Sequence, residues 1–325
     1  MYQQEGGTCG DSRRRRYATA VDTHDRAVGS ILGLAVGDAL GAPFEFQRAS
    51  DVPSPLPAFE RTWMGQPPGV WTDDTAMARN LWVSLIVNRG VFDPDDIVGR
   101  HLAWLATGPP DVGNLTRRVL SRLRDGDPDA ARAYVEQRGP EVSAGNGSVM
   151  YCAPLGVLHA FRSQELHELA PALSVLTHWD ERCRTACLAV TLAAASLVAG
   201  STPERAVVEA LAAVTDREGG EELEYLVGEA GRARPIDGPD MGFTLFTAGI
   251  ALQVTGDGRG FEEGLRYVVG LGGDTDTNAA VSGALLGAAH GVTAIPQGWL
   301  DRLAEAGALI AEAAELATLI RFERQ

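Results

Sequence analysis

Apolar residues recur at spacings of three and four along most of the chain after residue 26, the period of a helix with one buried face. Breaks that contain proline or glycine separate these stretches, and the two-residue alternation typical of strands is hard to find. The pattern predicts an all-α protein, folded as a compact single domain of helices. The predicted helices cover residues 74–89, 97–106, 115–124, 154–161, 164–176, 181–199, 203–214, 220–231, 241–254, 261–271, 275–291 and 299–322.

Glycines interrupt the apolar helices at a regular interval of four residues. A glycine inside a helix costs about 1 kcal/mol relative to alanine, and close packing is the usual compensation. We therefore expect two helices packed backbone to backbone in a crowded core. The glycines in question are Gly29, Gly33, Gly37, Gly41, Gly283 and Gly287.

Residues 1–25 are polar and include an arginine run at 13–16, with no apolar stretch behind it to make a secretory signal. We predict a disordered tail at 1–25, one all-α domain at 26–325 and, by default, a cytoplasmic protein. The longest apolar run, residues 188–199, is shorter than the ~18 residues that a membrane helix needs, so no membrane association is expected. The proline-rich stretch 51–70 is predicted to be a long loop.

The 325 residues are 45% hydrophobic and 22% charged, enough to bury a core without disulfides or a structural metal. The net charge of −15 disfavours nucleic acid as a partner. All 28 basic residues are arginine, which excludes Schiff-base lysine chemistry and a Walker A site. The cysteines form no CxxC pair and the histidines no HExxH motif, which argues against a disulfide framework and a zinc protease. No heptad run is long enough to predict an oligomer.

Two clusters of aspartate and threonine each precede an apolar helix. The first reads TDDT at 72–75 and the second DTDT at 274–277. A helix needs one capping side chain, so capping alone would explain either cluster but not the crowding of oxygens in both. Oxygen-only ligands suit Mg²⁺, Mn²⁺ or Ca²⁺. If the two helix starts converge, their carboxylates carry enough charge for two divalent ions.

Three further segments hold candidate chemistry. Glu45 follows a helix closed by glycine and proline, and it is either an ordinary exposed residue or, near metals, a ligand or general acid/base. The glycine-rich stretch 143–148 is either a turn or a cradle for phosphate. His178 follows a helix and is either a structural hydrogen-bonding residue or part of the site.

Taken together, these segments resemble the ADP-ribosylglycohydrolase family, which includes the dinitrogenase-reductase-activating glycohydrolases. Residues 37–41 read GDALG, 72–75 TDDT, 145–147 GNG, 177–178 TH and 272–277 GGDTDT, in the family's order. The resemblance spans roughly residues 26–319. It implies a compact all-α hydrolase domain with two Mg²⁺ or Mn²⁺ ions. The implied metal ligands are Thr72, Asp73, Asp74, Asp274, Asp276 and Thr277.

The implied activity is hydrolysis of the glycosidic bond at the distal ribose of an ADP-ribosylated protein side chain or another ADP-ribose conjugate, with release of ADP-ribose. Glu45, Asp73 and Asp74 would assist proton transfer. The remaining alternatives are an O-acetyl, phosphate or polymer derivative of ADP-ribose as substrate, cleavage at the diphosphate, or binding without catalysis. The implied substrate-binding residues are Asp111, Gly113, Ser143, Gly145, Asn146, Gly147, Ser148 and His178.

One position departs from the family's pattern. Relatives often have an arginine after the methionine that follows the GNG motif, whereas this chain has Tyr151 after Met150. The departure bears on substrate identity more than on metal binding. Tyr151 and the loop at 51–70 are candidates for lining the pocket of the leaving group.

Overall fold

The computed structural model describes residues 21–139 and 142–321, and within them it is built almost wholly of α-helices, as the sequence predicts. The helices are α1 Thr23–Gly41, α2 Asp73–Val87, α3 Pro94–Ala106, α4 Asn114–Arg124, α5 Ala130–Arg138, α6 Ala153–Leu158, α7 Leu166–Ser174, α8 Glu181–Val198, α9 Pro203–Ala212, α10 Gly220–Val227, α11 Thr244–Gly256, α12 Phe261–Gly270, α13 Thr275–His290, α14 Gln297–Leu300 and α15 Ala306–Thr318.

The glycines of α1 and α13 bring these two helices into backbone contact, which confirms the packing predicted from their spacing. A Cβ atom on Gly33 would fall on the carbonyl oxygen of Gly283, and one on Gly37 would fall on that of Ala279. At the end of the contact, the hydroxyl of Thr275 donates to the carbonyl oxygen of Gly41 at 2.8 Å. The start of α13 is therefore fixed against the end of α1.

The helix pair lies at the centre of the molecule, where α8, α11 and α12 pack against α13 and α15 packs against α1. Nearly all residues of α1 and α13 are buried, so these helices are apolar on every face rather than amphipathic. Cys152, Cys183 and Cys187 are free and buried in this core, as expected of small apolar residues. Cys9 lies outside the described residues.

The first helix corrects two expectations. It begins at Thr23, capped by the side chain of Asp22, and so occupies part of the segment predicted as a tail. Residues 1–20 of that segment lie outside the described residues. The stretch Thr23–Phe44 is also 22 residues long with a mean hydropathy of 1.5, enough to cross a membrane by length and composition, contrary to the prediction that no run comes close. The most apolar 18-residue window of this stretch is 94% buried inside the protein, which accounts for its apolar character.

Three other features differ from the sequence prediction. The segment 299–322, predicted as one helix, contains two, because Glu305 adopts a left-handed conformation with φ 58° between α14 and α15. Helix α5 was not predicted, because its nine residues are too short a stretch to show a clear helical period. A two-stranded antiparallel ladder pairs β1, Gln47–Arg48, with β2, Gly272–Gly273. Strands of two residues are too short to show alternation.

Candidate active site

The two acidic helix starts meet, as the hypothesis of a metal site requires. Thr72 caps α2, and its hydroxyl accepts a hydrogen bond from the backbone N–H of Asp74. The hydroxyl of Thr277, at the start of α13, donates to Oδ2 of Asp74 at 3.3 Å. Asp274 is the N-cap residue of α13 but makes no capping hydrogen bond with its side chain. Its carboxylate instead accepts a hydrogen bond from Nδ2 of Asn146 at 2.9 Å.

A residue to which the sequence analysis gave no role, Asp38, organises the first cluster. Its fully buried carboxylate lies near the end of α1 and accepts hydrogen bonds from the backbone N–H groups of Thr72 and Thr75 at 2.9–3.0 Å. The hydroxyl of Thr75 donates to it at 2.5 Å. Asp38 therefore fixes the loop that leads into α2. Its motif, GDALG, was recognised, but only the structure shows which partners this aspartate has.

The ladder between β1 and β2 places Glu45. The backbone N–H of Phe46 donates to the carbonyl oxygen of Gly273 at 2.7 Å, so Glu45 lies beside the start of α13. One carboxylate oxygen from each of Glu45, Asp111 and Asp276 lies within 4.8 Å of the other two. Asp111, expected to belong to a substrate loop, is therefore part of the acidic cluster.

These groups surround a cavity of about 410 Å³. Eleven of the predicted site residues line it: Glu45, Asp73, Asp111, Gly113, Gly145, Asn146, Gly147, His178, Asp274, Asp276 and Thr277. The sequence analysis did not single out the other lining residues, which are Phe46, Val112, Asn114, Leu115, Thr116 and Met150. Met150 follows the GNG motif, whereas the other five carry no motif of their own and reach the cavity through the folding of the segments around 44–47 and 112–116.

Four predicted site residues lie behind the cavity wall. Thr72 and Asp74 are buried beneath it, where Asp74 accepts the threonine hydrogen bonds. The hydroxyl of Ser143 donates to Asp180 at 2.8 Å, and that of Ser148 bonds to Ser174 at 3.1 Å. Both serine side chains are fully buried, and their hydrogen bonds hold the glycine loop in place behind the cavity wall.

The two candidates for a leaving-group pocket are also absent from the cavity lining. Tyr151 is fully buried behind the glycine loop. Among the lining residues that the structure describes, none belongs to the loop at 51–70. Of that loop, Leu56 and Phe59 are buried in the apolar interior, and the side chain of Trp63 is hydrogen bonded to Glu45.

The carboxyl groups of the site are held in surroundings that oppose their ionisation. Burial, followed by the charges of Asp111 and Asp274, raises the pKa of Glu45 to about 8. Burial likewise raises the pKa of Asp73 to about 7, against a hydrogen bond from the backbone N–H of Gly113. For Asp74 and Asp276 burial raises the pKa well above its ordinary value.

The donor set fits a hard divalent cation. All of its side-chain atoms are carboxylate or hydroxyl oxygens, the ligands that Mg²⁺ and Mn²⁺ prefer. Oδ1 of Asp74 is buried and has no hydrogen-bond partner among the described residues. A buried carboxylate oxygen without a partner is costly, and a bound cation would relieve both this cost and the mutual repulsion of the carboxylates.

The glycine loop is shaped around His178. A Cβ atom on Gly147 would come within 3.0 Å of both the His178 ring and the Thr116 hydroxyl, so only glycine fits there. Nδ1 of His178 lies 2.9 Å from Oγ1 of Thr177, which in turn lies 3.1 Å from the hydroxyl of Tyr151. Burial lowers the pKa of His178 to about 3, so the ring is neutral at pH 7.

Hydrogen bonds connect Tyr151 to His178 through Thr177. When the buried Tyr151 hydroxyl donates to Thr177, the proton of Thr177 is free to point at Nδ1 of His178. In that arrangement the ring proton lies on Nε2, close to Gly147, where it is a donor at the cavity wall.

Comparison with known proteins shows the family to which the chain belongs. A sequence profile described as ADP-ribosylglycohydrolase matches residues 19–325. The chain belongs to the ADP-ribosylglycohydrolase family. The family makes the protein a glycohydrolase, as its sequence motifs predict.

Individual members of the family are similar over most of their length. ADP-ribosyl-[dinitrogen reductase] glycohydrolase of Rhodospirillum rubrum is 31% identical over 290 residues, which is 88% of this chain and 92% of the relative. ADP-ribosylarginine hydrolase Tri1 of Serratia proteamaculans is 27% identical, over 86% of this chain and 76% of the relative. A solved ADP-ribosylglycohydrolase-related protein complex is 34% identical with a TM-score of 0.75, and covers 92% of this chain and 99% of that chain.

Proposed function

We propose that this glycohydrolase cleaves the glycosidic bond at the distal ribose of an ADP-ribosylated protein side chain and releases ADP-ribose. One observation carries the proposal. Acidic residues from four segments line a single cavity together with the GNG loop. The segments are α2, α13, the loop before α4 and the residues just before β1. Relatives whose names describe removal of ADP-ribose from proteins support the choice of substrate.

We propose two Mg²⁺ or Mn²⁺ ions in this cavity, held by Asp73, Asp74, Asp274, Asp276 and the hydroxyls of Thr72 and Thr277. Such ions, when bound, supply positive charge that binds ribose hydroxyls and acidifies water. Asp111 and Glu45 lie close enough to Asp276 to share this role.

The residues that touch reactants follow from their exposure to the cavity. Glu45 and Asp73 line it, whereas Asp74 lies beneath, so we assign proton transfer to the first two and positioning to the third. During hydrolysis the oxygen of water bonds to the anomeric carbon as the bond to the leaving group breaks. One carboxylate accepts the proton of the water and the other donates a proton to the leaving atom. Positive charge develops on the ribose, and the surrounding carboxylates stabilise it.

A second cavity, of about 430 Å³, adjoins the first across Gly145, which lines both. Arg182, Arg234, Asp240 and Phe243 line it, with Arg182 paired to Asp180 and Arg234 to Asp240. The guanidinium carbon of Arg182 lies 5.6 Å from the centre of the Phe243 ring. An acidic cavity next to an arginine-lined one suits a ligand with ribose hydroxyls at one end and a diphosphate behind them. We therefore place the diphosphate and adenosine of the substrate along this second cavity.

Product analysis tests the proposal. The protein is incubated with ADP-ribosyl-arginine and ADP-ribosyl-serine peptides in Mg²⁺, Mn²⁺ or EDTA, and the products are identified by mass spectrometry. Metal-dependent release of ADP-ribose from either peptide supports the proposed activity. Release of AMP would show cleavage of the diphosphate instead, and binding of ADP-ribose without turnover on any conjugate would show a binding protein. The cytoplasmic location stays a prediction of the sequence.

A further inference from the structure

Helices α4 and α5 pack against each other beside the active site. They share a small apolar core made by Val119, Ala130 and Ala131. Their outer sides meet at a cavity of about 440 Å³ on the protein surface. We call this the arginine surface. It is lined by Arg117, Arg118, Ser121, Arg122, Tyr134, Gln137 and Arg138.

The charges of this surface are largely uncompensated. Arg122 pairs with Asp127 at 2.8 Å. Arg117, Arg118 and Arg138 are exposed and form no ion pair with any residue that the structure describes. Guanidinium groups gathered in one place repel each other, although the chain as a whole has a net charge of −15. A concentrated positive field on an acidic protein attracts an anionic partner.

The arginine surface begins where the active cavity ends. Gly113 connects the two, because its backbone N–H donates to Oδ2 of Asp73 at 3.1 Å and its carbonyl accepts from the backbone N–H of Arg117 at 2.9 Å. The first residues of α4, from Asn114 to Thr116, line the active cavity, and Arg117 follows directly. A macromolecule that inserts one side chain into the cavity would therefore lie over α4 and α5.

Resting on the proposed function, we propose that the arginine surface binds an acidic segment of the ADP-ribosylated protein, next to the modified side chain. Arg117 and Arg122 are separated by about 7.5 Å along the helix axis, at about 1.5 Å per residue, which an extended acidic segment of two or three residues would span. A nucleic acid or an ADP-ribose polymer would present many phosphates to the rest of this acidic protein and be repelled. A short acidic segment carries only a few negative charges, and all of them can lie next to the arginines.

The test uses two substrates that differ only in charge. One is a peptide in which four glutamates flank an ADP-ribosylated arginine, and in the other these positions are glutamine. ADP-ribosyl-arginine itself is the small substrate. The intact protein should hydrolyse the glutamate peptide with a kcat/KM on the order of 10-fold higher than the glutamine peptide at low salt, and this preference should shrink as salt rises.

The double variant Arg118→Glu/Arg138→Glu, which leaves the Arg117 charge beside Asp111 in place, should lose the preference for the glutamate peptide and keep its kcat/KM on the small substrate. The matched control is the double variant Arg89→Glu/Arg205→Glu, which makes the same charge change at two exposed residues away from the site. It should keep the preference. An equal loss on the peptide and the small substrate, or an intact preference in the double variant, would overturn the proposal.

Two further outcomes separate this proposal from its alternatives. If no substrate releases ADP-ribose, the proposed function fails, and the docking proposal fails with it. If the small substrate is hydrolysed but the two peptides react alike, only the docking proposal fails. Hydrolysis of the glutamate peptide is also measured with a single-stranded RNA oligonucleotide or polyglutamate of equal charge as inhibitor. Stronger inhibition by the RNA would show that the surface binds nucleic acid and would overturn an acidic protein segment as its partner.

Discussion

The hydroxyl oxygen of Tyr151 lies 3.1 Å from Oγ1 of Thr177, and through this threonine a fully buried tyrosine acts on a histidine at the cavity wall. Sequence analysis marked Tyr151 as a departure from the family's pattern, and the structure places its hydroxyl where it can orient His178. The tyrosine does not line the cavity and is a positioning residue.

Replacing Tyr151 with phenylalanine should therefore weaken ADP-ribose binding by roughly three- to tenfold, because the loss of about 1 kcal/mol of hydrogen bonding frees Thr177 to turn its proton away from His178. The diagnostic readout is the His178 ring in ¹⁵N NMR, where the fraction protonated at Nε2 should fall. Tyr225→Phe, an exposed position on α10, is the control and should change neither quantity. An unchanged tautomer in the Tyr151 variant would contradict this account.

Asp276→Asn should abolish most of the hydrolytic activity while the helical circular dichroism stays the same. The amide keeps the oxygen that accepts the backbone N–H of Thr277 at 2.9 Å, but it removes the charge that a cation requires. The stabilisation that Mg²⁺ gives to the intact protein in thermal unfolding should also disappear. Asp125→Asn, at an exposed position after α4, should retain both properties. A variant at Asp276 that still responds fully to limiting Mg²⁺ would remove this residue from the proposed metal site.

In EDTA the protein should become less stable between pH 6.5 and 8.5, by on the order of 1–2 kcal/mol. The folded pKa values of Glu45 and Asp73, about 8 and 7, exceed the unfolded values near 4, so the folded state holds protons that the unfolded state has released. The stability from these protons is complete below the unfolded pKa and is lost as the pH rises through the folded pKa. His101 and His178, whose pKa values burial lowers to about 3, affect stability only below about pH 6.5.

Thermal unfolding followed at both pH values gives the measurement. Saturating Mg²⁺ should flatten or reverse the dependence, because the cation favours the ionised carboxylates. An unfolding temperature independent of pH in EDTA would show that the carboxyl groups are not held in the protonated form.

Gly37→Ala should destabilise the protein by about 2 kcal/mol, although alanine is the better helix former. The new methyl group would collide with the backbone of Ala279, which cannot move without separating α1 from α13. Gly99→Ala is the matched control, since this glycine lies in α3 with open space around its Cα. It should stabilise the protein by about 0.5–1 kcal/mol in denaturant unfolding. The same sign for both variants would refute the close-packing explanation.

The sequence predicts those parts of the molecule that depend on local pattern. The helical class follows from the spacing of apolar residues, and the contact of α1 with α13 follows from glycines that would otherwise be costly. The motifs also identify most of the cavity-lining residues. Residues such as Asp38 and Asp111 carry no local signal of their partners, because these lie 34 or more residues away in the chain.

Other features that the sequence does not reveal also depend on tertiary packing. Ser143 and Ser148 belong to a motif, but which side of a loop a serine faces depends on what packs behind it, here Asp180 and Ser174. Whether Tyr151 reaches the cavity is decided by tertiary packing, and sequence distance from the GNG motif does not reveal it. The separation of α14 from α15 depends on the backbone conformation of Glu305, which the spacing of apolar residues does not reveal.

The hydrogen bond between Thr275 and Gly41 joins residues 234 positions apart, and the ladder that places Glu45 joins the same two regions. During synthesis α1 leaves the ribosome long before α13, so the carboxylates of the first half of the chain have no partners from α13 until that helix emerges. The proposed active site can therefore form only late in synthesis. No N-terminal fragment that stops short of α13 can carry even a fraction of the activity.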